Sequence, residues 1–280
     1  MDNDRDERIR ERMRRDWSAR SEHYAAHAAP KNRPYAEILV DAVKLVVDER
    51  VLDVATGPGV VALEAAHAIG PAGRVVATDL VPDWGEVVAA AAAREGLSNI
   101  EFREMGAEAL ALPDASFDVA LCQFGLMFVP DPVRALTELR RVLRDGGRLG
   151  VAVWSTPDKV GHFVAMRAIM AKAPAASTGD RLPSPLDLGE PGLIERHVAA
   201  AGFREIAVTR QTRTHTIADP EEEWRQRLDD PSGGGAGVVA ALSAEEGRRL
   251  HDEVIATLET YRQDGEIRLP SEAVFVTAVK

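Results

Sequence analysis

Two carboxylates and two glycines at set spacing carry the first chemical signal in this chain. The run Val51-Leu52-Asp53-Val54-Ala55 is apolar and β-branched, and it stops at Thr56-Gly57-Pro58-Gly59. A glycine lets the backbone pass close to a ligand because no Cβ stands in the way. In open α/β sheets, ligands bind beyond the carboxyl ends of strands, where the strand order reverses. Asp79 ends the next β-like run, Arg74 to Thr78, twenty residues after Gly59. A carboxylate at that place can accept hydrogen bonds from two ribose hydroxyls. Loop and carboxylate together point to a cofactor that contains a nucleoside.

Two cofactor classes fit that much. Gly57-Pro58-Gly59-Val60-Val61-Ala62 satisfies the G-x-G-x-x-G/A pattern of dinucleotide-binding turns, with Asp79 as the acidic partner. Asp53 weighs against this, since a pyrophosphate beside that carboxylate would be repelled. A carboxylate there suits a cationic amino group instead.

The elements that must position these residues alternate in type. After the first strand, Val60 to Ile69 reads as a helix closed by Gly70-Pro71, and Val87 to Arg94 as an alanine-rich helix stopped by Gly96. Short strands follow at Ile100 to Arg103 and Phe117 to Cys122, then a helix from Pro132 to Leu143 and a fifth strand from Arg148 to Trp154. Strands alternating with helices imply right-handed βαβ crossovers and a mostly parallel sheet covered on both faces. The expected fold is therefore a Rossmann-like, doubly wound α/β sheet of seven strands with an antiparallel last strand, plus helical lid insertions. The expected divisions are an amino-terminal helical arm (1–37), a core (38–154), a lid (155–192), and a carboxyl-terminal part of the core (193–280) with a helical insertion (219–262). The glycine run Ser232 to Gly237 reads as a flexible surface loop, because no strand precedes it and no lysine follows it.

Further motifs then fall in order. VLDVATGPG (51–59) is followed by Thr78-Asp79-Leu80, by Met105-Gly106-Ala107-Glu108-Ala109-Leu110 with Leu112 to Asp118, by Cys122 to Pro132, and by LRRVLRDGGRL (139–149). On these residues the chain resembles the class I S-adenosylmethionine (SAM) dependent methyltransferases, with its closest likeness to the branch that includes quinone-biosynthesis C-methyltransferases. The resemblance covers about residues 38 to 154 and implies SAM as cofactor. It implies that the backbone around Ala55, Thr56 and Gly57 meets the methionine part, with Asp53 near the amino group, and that Gly59 permits close passage. Asp79 would bind the ribose hydroxyls and Leu80 would pack on the adenine. Gly106, Ala107 and Glu108 would lie at the adenine edge, and Cys122, Gln123 and Phe124 would face the sulfonium. Many relatives carry Gly-Asp where this chain has Met105-Gly106, so the aspartate that would meet the adenine amino group is missing. A backbone carbonyl or Glu108 would have to replace it.

Methyl transfer is an in-line displacement, so the protein mainly aligns nucleophile, methyl and sulfur and excludes water. A hydroxyl acceptor would benefit from a general base. His162, which opens the segment after the fifth strand, is the candidate, and a surface or helix-capping histidine is its alternative reading. His23 and Tyr24 are further candidates for covering the cofactor's carboxylate or the acceptor. Phe124, Met127, Phe128, Trp154, Phe163, Met166 and Met170 would make an apolar acceptor pocket. Phe163, Met166 and Met170 share a helix face, either as a lid over the acceptor or as a face packed on the core. The expected reaction is methylation of an oxygen or carbon of a hydrophobic small molecule (a phenol, quinone precursor or polyketide). An NAD(P)-dependent oxidoreductase and a non-methylating protein on the SAM fold are the alternatives.

Bulk composition excludes some partners. Of 280 residues, 45 are acidic and 34 basic, a net charge of −11. Phosphate binding needs clustered Lys and Arg, so no nucleic-acid partner and no anionic membrane surface is expected. No run approaches the ~18 apolar residues of a bilayer span. Cys122 is the single cysteine, which fits a reducing cytoplasm. The first sixteen residues alternate acids and bases and read as a helix, solvated along its length or serving as a lid or oligomer arm, so a homodimer is among the expected assemblies.

Overall fold

The computed structural model describes residues 2–173, 182–231 and 234–280, with the side chains of 2, 3 and 234 excepted. Its residues form two compact units: 1–154 with 182–211 and 273–280, and 155–181 with 212–272.

The first unit opens with α1 (Asp2–His27) and α2 (Ala29–Val43). The alternating part follows as β1 (Arg50–Val54), α3 (Val60–Ile69), β2 (Arg74–Asp79), α4 (Trp84–Arg94), β3 (Ile100–Glu104), β4 (Phe117–Gln123), α5 (Pro132–Val142) and β5 (Leu143–Trp154). Val51, Leu52 and Val54 are all buried, as expected of a parallel strand covered on both faces. Helix α5 starts at Pro132 because the side chain of Asp131 accepts the Arg134 N–H at 3.0 Å, and it turns Leu136, Leu139 and Val142 inward.

The remaining elements are α6 (Val164–Met170), α7 (Leu193–Ala200), β6 (Arg204–Ile217), α8 (Pro220–Leu228), α9 (Gly234–Ala240), α10 (Ala244–Glu259), β7 (Arg262–Gln263) and β8 (Glu266–Val279). The strand order is β3-β2-β1-β4-β5-β8-β6, with the short β7 paired to β8. Pairs β1–β2, β2–β3, β1–β4 and β4–β5 are parallel, and β8 runs antiparallel to β5 from Arg148↔Val279 to Trp154↔Ala273. This is the doubly wound sheet of the sequence reading, with the extra two-residue β7 that the sequence gives no sign of. The order reverses between β1 and β4, which fixes the ligand-binding crevice at their carboxyl ends.

The second unit has its own core, formed by Ala165 and Ile169 of α6, Trp224 of α8, Leu250, Val254 and Leu258 of α10, and Ile267 and Leu269 of β8. Two expectations change here. Helix α6 buries Ala165 and Ile169, so the face formed by Phe163, Met166 and Met170 is not its packed face, and Met170 is 48% exposed. Residues 234–237 of the glycine run open helix α9 rather than a loop. A Cβ on Gly235 would lie 2.5 Å from the carbonyl oxygen of Arg227, so the glycine serves close approach of α9 to the end of α8. Ser232 and Gly233, and residues 174–181 of the expected lid, lie outside the described residues.

Candidate cofactor site

A cleft opens at the carboxyl ends of β1, β2 and β4, all within the first unit. Counted with its mouth it encloses about 1040 Å³. The backbone there is bent into conformations that L-residues seldom adopt. Ala55, just after β1, has φ 55°, and Phe124, just after β4, has φ 55°. Such residues persist only when their surroundings over-determine them, and they gather at ligand sites. The surroundings here are tight. A Cβ on Gly125 would lie 2.4 Å from the Ala55 Cβ, so β1 and β4 meet at this point only because residue 125 is glycine. Gly57 has φ 52° and open space where its Cβ would be, which leaves its backbone accessible from the cleft.

Two buried carboxylates flank this loop. Asp53 is 1% exposed, and its Oδ2 accepts from the Thr56 hydroxyl at 2.5 Å. Its Oδ1 has no partner within hydrogen-bond distance among the described residues. Asp79 accepts the Gly57 N–H at 2.9 Å and the Val81 N–H at 3.0 Å, one on each oxygen. Burial pushes both up from the ordinary carboxylate range, Asp53 to about 7 and Asp79 to about 6, and the charge of Asp79 adds to the shift at Asp53. The Gln123 side chain donates to the Asn32 carbonyl at 3.2 Å, while its buried Oε1 has no partner among the described residues. Asn32 Nδ2 in turn donates to the Tyr24 hydroxyl at 2.8 Å. Unpaired acceptors beside a cleft are costly unless a ligand supplies donors.

Helix α1 forms one wall. Arg10, Met13, Trp17 and Tyr24 line the cleft. Trp17 meets the Phe128 ring edge-on at 5.2 Å and Tyr24 at 5.1 Å. Arg10 pairs with Glu108 at 3.2 Å, Arg14 pairs with Glu104, and Ser18 donates to Asp83 at 2.6 Å. Ile9 is buried at 3% exposure. The helix is thus not solvated along its length. Its apolar stripe, buried Ile9 with half-buried Met13 and Trp17, has i, i+4, i+8 spacing and is outnumbered by charge on the other faces, which hides it from a composition-based reading.

Of the residues singled out in the sequence, Asp53, Ala55, Thr56, Gly57, Asp79, Leu80, Gly106, Ala107, Glu108, Gln123 and Phe124 line this one cleft. Gly59 is not among the lining residues. It caps α3 with φ 85°, and a Cβ there would lie 2.9 Å from Val88, so it serves the packing of α3 against α4. Cys122 is also outside the lining; it is 1% exposed, and burial raises its thiol to about 12. Trp154 stacks behind Phe124 at 3.9 Å, and Met127 is buried. His23 stacks on His27 at 4.4 Å rather than lining the cleft. His162 lies in the second unit, where its Nδ1 is 2.7 Å from the Ser271 hydroxyl and its ring is 4.5 Å from that of His215. Arg10, Met13, Trp17, Asn32 and Trp84 join the site without having been expected there.

Comparison with known proteins gives this geometry a family. Residues 51–147 match the family of methyltransferase domains. The chain is 38% identical over 127 residues to the ubiquinone/menaquinone biosynthesis C-methyltransferase UbiE of Hahella chejuensis, covering 45% of this chain and 51% of that one. It is 36% identical over 116 residues to the aklanonic acid methyltransferase DauC of a Streptomyces species, covering 41% and 53%. The crystal structure of YcgJ from Bacillus subtilis shares the fold with a TM-score of 0.57 at 20% identity, over 88% of this chain and 98% of that one. The chain spans about half the length of the curated relatives it matches. Residues 51–147 therefore form a class I SAM-dependent methyltransferase domain. The residues present fit that cofactor: a carboxylate at the tip of β2 in the cleft, a glycine backbone open to it, and acceptors at Asp53 and Gln123 that have no partner among the described residues and could meet a cationic group. This decides against the dinucleotide alternative.

Proposed function

We propose that the protein transfers the methyl group of SAM to an oxygen or carbon atom of an apolar small molecule of the phenol, quinone-precursor or polyketide kind, in the cytoplasm. The observation that carries this reading is the convergence of Asp53, Asp79 and the strained Ala55 and Phe124 backbone on one cleft with aromatic walls. The names of the two relatives, a C-methyltransferase of ubiquinone/menaquinone biosynthesis and an aklanonic acid methyltransferase, support the acceptor class.

SAM supplies an activated methyl group when bound, and the chain's own residues do the rest. Asp79 would accept from the ribose hydroxyls while holding the Gly57 N–H. Asp53 and Gln123 Oε1 would take donors from the amino-acid end. Trp17, Phe124 and Phe128 would exclude water, so that alignment supplies the larger part of the rate, a contribution that reaches ~7–11 kcal/mol in well-oriented systems. At an oxygen or a carbon acceptor alike, the new bond to the methyl replaces a bond to hydrogen as the methyl–sulfur bond breaks, so one proton leaves the acceptor to water or to a base.

Incubation of the whole protein with methyl-labelled SAM and a panel of phenols, naphthoquinols and anthraquinone acids tests this. Label in an organic-extractable product is the expected result. Consumption of an acceptor without label transfer would replace this reading with a non-methylating reaction on the same fold.

A further inference from the structure

The base end of the cleft is unusual in how its acids are occupied. If Asp79 holds the ribose, the base lies on the far side of that carboxylate from the glycine loop, between Leu80 and residues 105–108, which line the cleft there. Two carboxylates bracket this stretch, and α1 claims both. Glu104 pairs with Arg14. Glu108 accepts from Arg10 at 3.2 Å on Oε2 and from the Asp131 N–H at 3.0 Å on Oε1, and its own carbonyl takes Arg134 at 3.0 Å. Arg10 and Arg14 are one helical turn apart, so a single helix face does this work. Between the two acids stands Gly106. The nearest atom to a Cβ built there is Leu80 Cδ1 at 3.7 Å, an ordinary contact with open space beyond it.

We infer that Gly106 makes the base end permissive: the site takes SAM-type cofactors and products without reading the exocyclic amine of the adenine, and accepts purines substituted at that amine. A buried acceptor would reward the amine and penalise its loss, since the unpaired group would then be left without a partner. Here the two side-chain carboxylates at this end, Glu104 and Glu108, each already hold an arginine of α1, and residue 106 between them has no side chain. This inference rests on the SAM reading of the cleft.

The test is calorimetric and needs no turnover. S-adenosylhomocysteine, its N6,N6-dimethyl analogue and its 6-deamino (purine) analogue are each titrated into the wild-type protein and into Gly106→Asp. The dimethyl analogue lacks the amine donors and adds bulk, and the deamino analogue lacks the donors alone. For the wild type, the three Kd values are expected within about threefold of one another, whereas Gly106→Asp prefers S-adenosylhomocysteine by at least tenfold over both analogues, the size of a charge-assisted hydrogen bond. The wild-type comparison stands alone if the variant does not fold. A wild-type preference of tenfold or more for S-adenosylhomocysteine would overturn the inference while leaving the SAM reading intact. Failure of all three ligands to bind the wild type would overturn the SAM reading and the inference with it.

Discussion

At the scale of single residues, the site is built on two acids that the fold keeps from ionising freely. Asp53 at about 7 and Asp79 at about 6 sit above their unfolded values because burial disfavours the charge. For the free protein, an acid with a raised folded pKa contributes stability that is present at low pH and is lost as pH rises through the folded value. The melting temperature of wild type relative to Asp53→Asn should therefore fall between pH 5 and 8. A cationic ligand reverses the preference, because it stabilises the ionised carboxylates. SAM binding should release protons near pH 6.5, and affinity should rise from pH 5 to 8 and then level off. Calorimetry in two buffers of different ionisation enthalpy measures the proton count, and identical heats would contradict this. Replacing Asp79 by Ala should cost about 1–3 kcal/mol of SAM affinity through lost charge-assisted hydrogen bonds. Asp79→Asn is the control, since it retains an acceptor for the Gly57 N–H. Cys122 is buried with its thiol raised to about 12, so thiol reagents should not modify it in the native protein and should do so only after denaturation.

At the scale of elements, the sequence was most legible where periodicity and turn residues agree. The strands β1, β2 and β4, the helix α5 and the loop 55–59 stand where apolar runs and Gly or Pro signals put them. Helix α4 begins at Trp84, three residues before the alanine-rich stretch, because Val81 and Pro82 accept backbone N–H groups there and turn the chain early. Two elements were hidden for physical reasons. In α1 one thin apolar stripe, buried Ile9 and half-buried Met13 and Trp17, stands among acids and bases, so its contact with the cleft depends on tertiary partners such as Phe128 and Glu108. In α9 the glycines read as flexibility, whereas Gly235 permits a close helix approach. Gly59 shows the same ambiguity within the site: its motif position suggests a ligand, while its neighbour is Val88. Trp17→Ala removes the ring that meets Phe128 and Tyr24, and should weaken SAM affinity by about tenfold while lowering stability by about 3–5 kcal/mol at most. Ligand titration and thermal melting read the two effects separately, and an unchanged Kd would remove α1 from the site.

At the scale of the whole molecule, the matched methyltransferase domain accounts for residues 51–147, and the second unit, with its own core, stands outside that range. His162 belongs to that unit and is braced by Ser271, which makes a structural role the natural reading of its contacts. His162→Ala should therefore lower the melting temperature and leave kcat within about threefold, about 0.7 kcal/mol in barrier height. The aromatic and carboxylate set of the cleft lies wholly in the first unit, which is why motif order in the sequence sufficed to locate it. No comparable signal marks the acceptor, because an apolar wall is recognised by shape rather than by fixed residue types.

The claim on which all of this depends is that the cleft between Asp53 and Asp79 receives the adenosyl amino-acid framework that SAM shares with its demethylated product. Titrating S-adenosylhomocysteine into the whole protein by calorimetry tests it most directly. One molecule bound per chain, with a Kd in the range of about 1 μM to 1 mM and weakened by Asp79→Ala, is the predicted result. No heat and no thermal shift with the wild-type protein, or equal affinity in Asp79→Ala, would contradict it.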